Sequence, residues 1–234
     1  IGGYQLACRP DDSASVRRVR DIKNRLRKPF AVMFPNLESI RMMCRLSGEE
    51  EALLVSPARP IVLLTPLDVS IWPEAGAGSR FIGAFLPNTG LHQMLTDTLV
   101  PLIMTSANLS GDAIFFADEE IFRAKNLAAD GVLYHTREIL TPLDDSVVKV
   151  TAGRKQMIRR SRGYVPLPIT LGNMGGASVL AFGGDLKSAF CLYKDNRAYM
   201  SQYFGDIENY TVRKNYVAGV SHMKNLFRIE PEIL

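Results

Sequence analysis

An α/β fold is the class that this 234-residue sequence predicts. Apolar residues recur at helical spacing in some segments, and short continuous apolar runs between them have the length and bounding residues of buried strands. Because the two kinds of segment alternate along the chain, they indicate helices packed on a sheet. The apolar fraction of 47% suffices for one sizeable core, or for one core and part of a second, and it excludes a disordered chain.

The first predicted helix carries a pair of cations at its end. Apolar residues at spacings of three and four predict a helix over residues 13–27, with Asp12 or Ser13 as its N-cap. Its C-terminal end holds Lys23 and Arg25. Taken alone, a Lys-x-Arg sequence in this place is usually a solvated cap of the helix dipole, so it gains meaning only together with other motifs.

A Ser-x-Asn sequence follows one of the predicted strands. Apolar runs bounded by Pro or polar residues predict strands over 30–34, 61–64 and 102–105, and a helix over 37–46. The strand over 102–105 leads directly into Ser106-Ala107-Asn108. Open α/β sheets usually bind ligands at the carboxyl ends of their strands, although the same tripeptide is also common in simple turns.

The later part of the chain predicts a second unit. Two more strands lie around Asp144-Asp145-Ser146, over 147–150 and 156–159, and the pattern then breaks in a Gly-rich segment. Beyond it, a strand over 179–182 precedes a hairpin, and the final helix has one apolar face. The hairpin strands are 189–193 and 197–203 around Asp195-Asn196, and the helix face comprises Val212, Tyr216, Val220, Met223 and Phe227. The expected organisation is a domain over 1–171, a linker over 172–177 and a domain over 178–234.

Composition limits the function classes. The formal net charge of +4 is mildly basic, which favours anionic small molecules at least as well as nucleic acid. Cys8, Cys44 and Cys191 lie far apart, so they indicate neither a disulfide framework nor a thiolate zinc site, and a reducing, cytoplasmic location fits best. The apolar runs are too short to span a bilayer, so we expect no membrane partner.

Several cationic and small polar motifs together predict a nucleotide-type pocket. Lysine and arginine suit anionic oxygens, and hydroxyl and amide groups bind phosphate or a planar carbonyl group by directed hydrogen bonds. The candidate residues are Lys23, Arg25, Thr105, Ser106, Asn108, Ser146, Arg160 and Arg162, with His92 as a further candidate. Transfer of phosphoryl or adenylyl groups relies on such positioning and charge neutralisation, and needs no Ser-His-Asp triad.

The order of the motifs resembles the YrdC family, whose members make carbamoyl-adenylates, and most of all the HypF family of carbamoyltransferases. Lys-x-Arg followed by Ser-x-Asn carries the first resemblance. The HypF-like segments are Lys23-Asn24-Arg25, Lys28 to Met33, Leu86 to His92, Met104 to Asn108, Asp144 to Val147 and Arg159 to Pro166. Departures from the HypF pattern are Leu26, Asn88 and Gly90.

The resemblance implies a fold and its extent. The first domain would be a YrdC-like twisted mixed sheet with helices, a fold associated with double-stranded RNA binding, and its first strand would precede Ile1. Gly183 to Lys187 and Ala198 to Asn209 resemble the start of a TsaD-like transfer domain of the actin and sugar-kinase (ASKHA) superfamily. HypF proteins carry zinc-binding and acylphosphatase segments elsewhere, so we expect a fragment with no metal site of its own.

The resemblance also implies a reaction. Carbamoyl phosphate and ATP, with Mg²⁺, would give carbamoyl-adenylate, and the carbamoyl group would pass to the C-terminal cysteine of HypE during nickel-iron hydrogenase maturation. Lys23 and Arg25 would be catalytic residues that contact polyphosphate or carbamate oxygens. The other candidates would bind nucleotide or carbamate: Thr105, Ser106, Asn108, Ser146, Arg160, Arg162 and His92. The isolated fragment need not be active.

Three alternatives remain open at the level of sequence. Threonylcarbamoyl-AMP synthases have an arginine for the threonine carboxylate where this chain has Phe85, so threonine is the poorer substrate. Antibiotic O-carbamoyltransferases share the appended transfer domain. A non-enzymatic RNA-binding module would use the arginines near Tyr164, but nucleic acid is the less favoured partner because few aromatic residues lie among the cations.

Overall fold

The chain forms two units, each with its own sheet. The computed structural model describes residues 2–98, 100–109, 111–124, 127, 129–172 and 175–234. The first unit comprises Ile1–Ser110 and Ile114–Arg159, and the second comprises Gly111–Ala113 and Arg160–Leu234. Asn173 and Met174 of the predicted linker lie outside the described residues. Among the described helices, none is long and apolar enough to cross a membrane.

The first unit is a mixed sheet with short helices. Its strands are β1 (Gln5–Cys8), β2 (Ala31–Met33), β3 (Cys44–Arg45), β4 (Ile61–Pro66), β5 (Ile82–Phe85), β6 (Leu102–Ser106), β7 (Val147–Thr151) and β8 (Arg154–Arg159). Its helices are α1 (Ser13–Lys23), α2 (Leu37–Arg41), α3 (Gly48–Val55), α4 (Pro73–Gly76), α5 (Gly90–Leu95) and α6 (Asp118–Arg123).

The strands of this sheet run in the order β1-β6-β2-β5-β4-β7-β8, and β3 pairs with β4. The pairs β2/β5 and β4/β7 are parallel, whereas β1/β6, β2/β6, β4/β5 and β7/β8 are antiparallel. The predicted twisted mixed sheet is thereby confirmed. One core cluster comprises Met33, Ile61, Phe85 and Met104 from four of the central strands. Such strands are apolar on both faces because helices or loops cover them.

Two of the predicted helices are shorter than their apolar patterns suggested. The helix predicted over 13–27 ends at Lys23, because Asn24 takes a left-handed conformation at φ 47° and its N–H bonds the carbonyls of Arg20 and Asp21. The helix predicted over 37–46 ends at Arg41, and β3 then pairs with β4 instead of continuing the helix. A local left-handed cap therefore ends the first helix, and strand pairing ends the second.

The second unit contains the predicted hairpin and helix. Its elements are β9 (Ile169–Thr170), β10 (Val179–Phe182), β11 (Phe190–Lys194), β12 (Arg197–Met200) and α7 (Tyr210–Phe227). The strand order is β10-β11-β12-β9. Asp195 and Asn196 both have positive φ, at 49° and 60°, as a tight turn between antiparallel strands requires. The predicted apolar face of α7 packs on the sheet, with Tyr216 and Met223 buried in the core of this unit.

The path of the chain between the two sheets bears on the domain limits. Residues 160–171 belong to the second unit, and β9 pairs with β12 through Thr170 and Arg197. The chain therefore enters the second sheet before the Gly-rich segment that sequence reasoning took as a linker. The domain limits at 1–171, 172–177 and 178–234 stay a prediction.

Candidate anion-binding site

The last residue of α1 is a lysine whose ammonium group is buried against the loop after β6. Lys23 is 2% exposed. Its Nζ donates to the main-chain and side-chain oxygens of Asn108, at 2.7 and 2.9 Å, and to the main-chain oxygen of Ser106. The Ser106 hydroxyl donates to the Asn108 Oδ1 at 2.5 Å. The predicted Lys-x-Arg and Ser-x-Asn sequences therefore meet at one place.

Main-chain hydrogen bonds fix the loop that faces Lys23. The N–H of Asn108 donates to the oxygen of Ser106 at 3.0 Å, which closes a turn at the end of β6. The N–H of Ala107 donates to the oxygen of Tyr4 at 2.9 Å, just before β1 begins. The sheet thus continues into the loop on one side, and the amide and hydroxyl groups of the loop are held in a defined position.

Arg25 lies beside the same strand end. Its Nη1 is 3.4 Å from the Thr105 Oγ1, and its Nη2 donates to the oxygen of Pro29 at 2.6 Å. The guanidinium carbon is 5.0 Å from the centre of the Phe30 ring, which is a cation–π distance. Thr105 is buried in β6. Arg25, Lys23 and the three polar residues 105, 106 and 108 therefore form one connected cluster.

The cluster brings buried cations close together. Burial lowers the pKa of Lys23 to about 8, with a further lowering by Arg25 that Asp144 partly opposes. Burial lowers the pKa of Arg25 to about 10, and Arg20 and Arg159 lower it further. Burial is the first cause of both shifts, so the low-dielectric surroundings disfavour the charged forms of these two groups. An anionic ligand would stabilise those charged forms.

The carboxylate facing these cations is Asp144. Its Oδ1 is 3.7 Å from the Arg159 Nη1. Burial raises the pKa of Asp144 above its ordinary value, against the lowering effects of Arg159 and Lys23. Asp145, the next residue, accepts a long hydrogen bond of 3.4 Å from the Gln5 Nε2 in β1. The Asp-Asp-Ser motif therefore lies at the edge of the same cationic cluster.

Two other predicted residues lie in the first unit on separate elements. Ser146 is fully buried just before β7, and its main-chain oxygen accepts from the N–H of Ile61, which joins β7 to β4. His92 is buried in α5, where its main-chain N–H donates to the Oγ1 of the helix cap Thr89 at 3.0 Å. Their use by a ligand stays a prediction.

Arg160 and Arg162 belong to the second unit. The Nη2 of Arg160 donates to the main-chain oxygens of Tyr164 and Leu167, each at 3.0 Å, so this side chain stabilises its own loop. Arg162 is buried, at 8% exposure. Neither observation tests the predicted nucleotide contact of these two arginines, which stays a prediction.

Sequence reasoning did not include Arg20 and Arg159 among the site residues. Arg20 occupies the helical face of Val16 and Lys23, so its spacing of three and four from them was an available signal of burial. Arg159 was treated only as one member of an arginine run. Arg159 is the last residue of β8, and its guanidinium ion-pairs with Asp144.

A mixed sheet with a buried Lys-x-Arg against a Ser-x-Asn loop defines a YrdC-type domain. The chain belongs to the Sua5/YciO/YrdC family, whose family model, described as telomere recombination, matches residues 1–161. Residues 175–234 match the HypF Kae1-like domain. This combination confirms the resemblance to HypF carbamoyltransferases.

Named relatives agree with this family assignment. The chain is 38% identical over 99% of its length to carbamoyltransferase HypF of Synechocystis sp., and 34% identical over 99% to that of Rhizobium leguminosarum. It covers 30% and 32% of those relatives. A crystal structure of full-length HypF in the phosphate- and nucleotide-bound form matches all of this chain, with a TM-score of 0.94 and 37% identity, and the chain covers 37% of it.

More distant structures share the fold alone. P. abyssi Sua5 complexed with L-threonine matches 71% of the chain with a TM-score of 0.57 and 18% identity, and the chain covers 48% of that protein. Such a likeness extends to the sheet and its helices but carries no information on substrate.

Proposed function

We propose that this chain forms carbamoyl-adenylate as part of a HypF-type carbamoyltransferase. The observation that carries the proposal is the buried ammonium of Lys23 against Ser106 and Asn108, with Arg25 beside them. Relatives across the whole chain are named carbamoyltransferases. A buried cationic cluster at a strand end suits a triphosphate and a carbamate, which are both anions.

In the proposed reaction, carbamoyl phosphate is first hydrolysed to carbamate and phosphate. A carbamate oxygen then forms a bond to the α-phosphorus of ATP, and the bond from that phosphorus to the bridging oxygen of the β-phosphate breaks. The products are carbamoyl-adenylate and pyrophosphate. No proton moves in this second step, because carbamate attacks as an anion, so the chain needs to position the reactants and stabilise developing charge.

The described contacts suggest a role for each residue in the proposed reaction. Lys23 and Arg25 neutralise phosphate or carbamate oxygens, and Arg25 can bind two oxygens at once. The Asn108 Oδ1 accepts from both Lys23 and Ser106, which fixes the orientation of the Asn108 amide group beside these two residues. Thr105 supports Arg25 from the strand. The remaining candidates would close the nucleotide or carbamate ends: Ser146, Arg160, Arg162 and His92.

The proposed cofactors are ATP and Mg²⁺. Magnesium usually keeps several waters and takes one or two carboxylates together with substrate phosphates. Within the described ranges, no group of three His, Cys, Asp or Glu side chains could hold a metal ion. The phosphates of ATP and water molecules would therefore provide most of the ligands of the Mg²⁺ ion.

The proposed acceptor follows from the family alone. In that proposal the carbamoyl group passes to the C-terminal cysteine of HypE in the cytoplasm, for maturation of nickel-iron hydrogenase. Since the chain spans about a third of its relatives, transfer depends on parts outside this sequence. Threonine is the poorer substrate, because this chain has Phe85 where threonylcarbamoyl-AMP synthases have an arginine for the threonine carboxylate. Phe85 is a core residue at 1% exposure.

Carbamoyl phosphate-dependent exchange of labelled pyrophosphate into ATP tests the proposed reaction. The intact protein should catalyse exchange with carbamoyl phosphate, and it should not do so with threonine and bicarbonate. Exchange that requires threonine would assign the site to threonylcarbamoyl-adenylate instead. Salt-sensitive RNA binding without any exchange would favour the RNA-binding alternative.

The pKa of Lys23 predicts how ATP affinity depends on pH. Binding an anion favours the protonated ammonium, so affinity should be constant below about pH 8 and then fall as Lys23 loses its proton. Above this point the fall should approach about tenfold per pH unit. Titration calorimetry between pH 7 and pH 9.5 measures it. A Lys23→Met variant should bind weakly at every pH, and an unchanged pH profile in that variant would exclude Lys23 as the titrating group.

A further inference from the structure

The guanidinium group of a buried arginine next to the proposed site donates hydrogen bonds to main-chain oxygens. Arg20, in α1, is 8% exposed. Its Nε donates to the oxygen of Glu74 at 2.7 Å and its Nη2 to that of Ala75 at 3.1 Å. Its Nη1 donates to the oxygens of Arg25 and Lys28, at 2.8 and 3.1 Å. One guanidinium therefore joins α4 to the segment that carries Arg25.

This arrangement fixes the course of residues 24–30. The N–H of Arg25 donates to the main-chain oxygen of Arg20 at 3.0 Å, so Arg20 holds residue 25 through both its main chain and its side chain. The N–H of Phe30 donates to the oxygen of Ala75 at 3.0 Å. The guanidinium carbons of Arg20 and Arg25 lie 4.6 and 5.0 Å from the centre of the Phe30 ring. A planar fork with five donors can make this set of bonds, whereas an ammonium cannot.

The charge of Arg20 also acts on the site. The Glu74 carboxylate accepts a direct ion pair from Arg17 at 2.6 Å, and it is the main-chain oxygen of Glu74 that Arg20 bonds. Burial lowers the pKa of Arg20, and Glu74 opposes that lowering only in part. After burial itself, Arg20 is the next cause that lowers the pKa of Arg25. Arg20 thus adds positive potential where Arg25 would meet an anion.

We infer that Arg20 is a positioning residue for the anion site: it holds the segment 24–30 so that Arg25 faces the ligand, without touching the ligand itself. This inference rests on the proposed function, in which Arg25 binds phosphate or carbamate oxygens. A purely structural role would affect stability alone. A positioning role makes the effect on affinity depend on Arg25.

A double-mutant cycle on ATP affinity in the intact protein separates these roles. Arg20→Lys keeps the charge but loses donors of the fork, and it should weaken ATP binding by roughly tenfold, since lost hydrogen bonds of a charged group have effects of this order. In an Arg25→Ala background the same change should weaken binding by less than about twofold, because the group it positions is gone. Arg17→Met, which removes an exposed cation from the same helix, should also stay within about twofold.

The outcomes distinguish the inference from the function on which it rests. If Arg25→Ala leaves ATP affinity unchanged, the proposed role of Arg25 fails. If Arg25→Ala weakens binding but Arg20→Lys has no effect, or the same effect with and without Arg25, the positioning role of Arg20 is overturned. Circular dichroism and urea unfolding check that each variant is folded. If Arg20→Lys does not fold, Arg20→Gln replaces it in the cycle, and its effect on ATP affinity should then be at least about fivefold larger with Arg25 than in the Arg25→Ala background, because the charge that it removes acts in both backgrounds. Equal effects in the two backgrounds would overturn the positioning role.

Discussion

Replacing Lys23 by methionine is expected to lower the rate of carbamoyl phosphate-dependent ATP–pyrophosphate exchange by about 100-fold or more. The ammonium is buried and holds the Ser106-Asn108 loop through three oxygens, so methionine removes both a cation and the group that holds this loop in place. Loss of one preorganised charged or donor group in an active site has effects of this size. Initial exchange rates in the intact protein measure it.

The control for this variant is Lys28→Met, because Lys28 lies five residues further along the chain and its side chain is exposed. Its exchange rate should stay within about twofold of the unchanged protein, because an exposed charge is well screened. Circular dichroism checks that Lys23→Met is folded, because the replacement leaves the oxygens of Ser106 and Asn108 without the ammonium donor. Normal exchange by folded Lys23→Met protein would remove Lys23 from the catalytic residues.

Replacing Phe85 by alanine is expected to lower the free energy of unfolding by about 3–5 kcal/mol. Phe85 is 1% exposed in β5, between β2 and β4, and it packs with Met33, Ile61 and Met104. Removing the ring leaves a cavity that the neighbouring strands cannot close, because main-chain pairing holds them on both sides. Urea unfolding followed by circular dichroism measures the change.

Phe122→Ala provides the matched comparison. Phe122 is 55% exposed and contacts Tyr134 edge to face, with ring centres 5.2 Å apart. Its loss should cost about 1 kcal/mol or less. Equal losses in the two variants would contradict the assignment of Phe85 to the core. They would also reopen the possibility that position 85 lines a substrate pocket.

The residues that form the first helix illustrate how far the sequence predicts the fold. Apolar spacing correctly predicted a helix with a buried apolar face, to which Val16 and Val19 belong, but it also extended the helix to residue 27, beyond Leu26, which is 78% exposed. The helix ends at Lys23 because Asn24 adopts a left-handed conformation at its C-cap. The spacing of apolar residues does not predict that backbone conformation. Strand β6 was easier, since an apolar run that ends in polar residues defines its own limit.

The candidate site was predictable where motifs were adjacent to element ends. The position of Ser106-Ala107-Asn108 at the carboxyl end of a strand and the ordered set of motifs together predicted one pocket, and Lys23 is hydrogen-bonded to Asn108. The helix end alone predicted only a solvated cap. Arg20 could not be found in this way. Its partners include the main chain of Glu74, 54 residues away, and main-chain oxygens leave no trace in the side-chain sequence.

A crystal structure of the intact protein with a non-hydrolysable ATP analogue and Mg²⁺ tests the central claim most directly. The claim is that Lys23, Arg25, Ser106 and Asn108 form one site for the phosphates of the nucleotide. Phosphate oxygens are expected within about 3 Å of the Lys23 Nζ and the Arg25 guanidinium. A nucleotide bound elsewhere, with Lys23 still bonded only to the oxygens of Ser106 and Asn108, would contradict it.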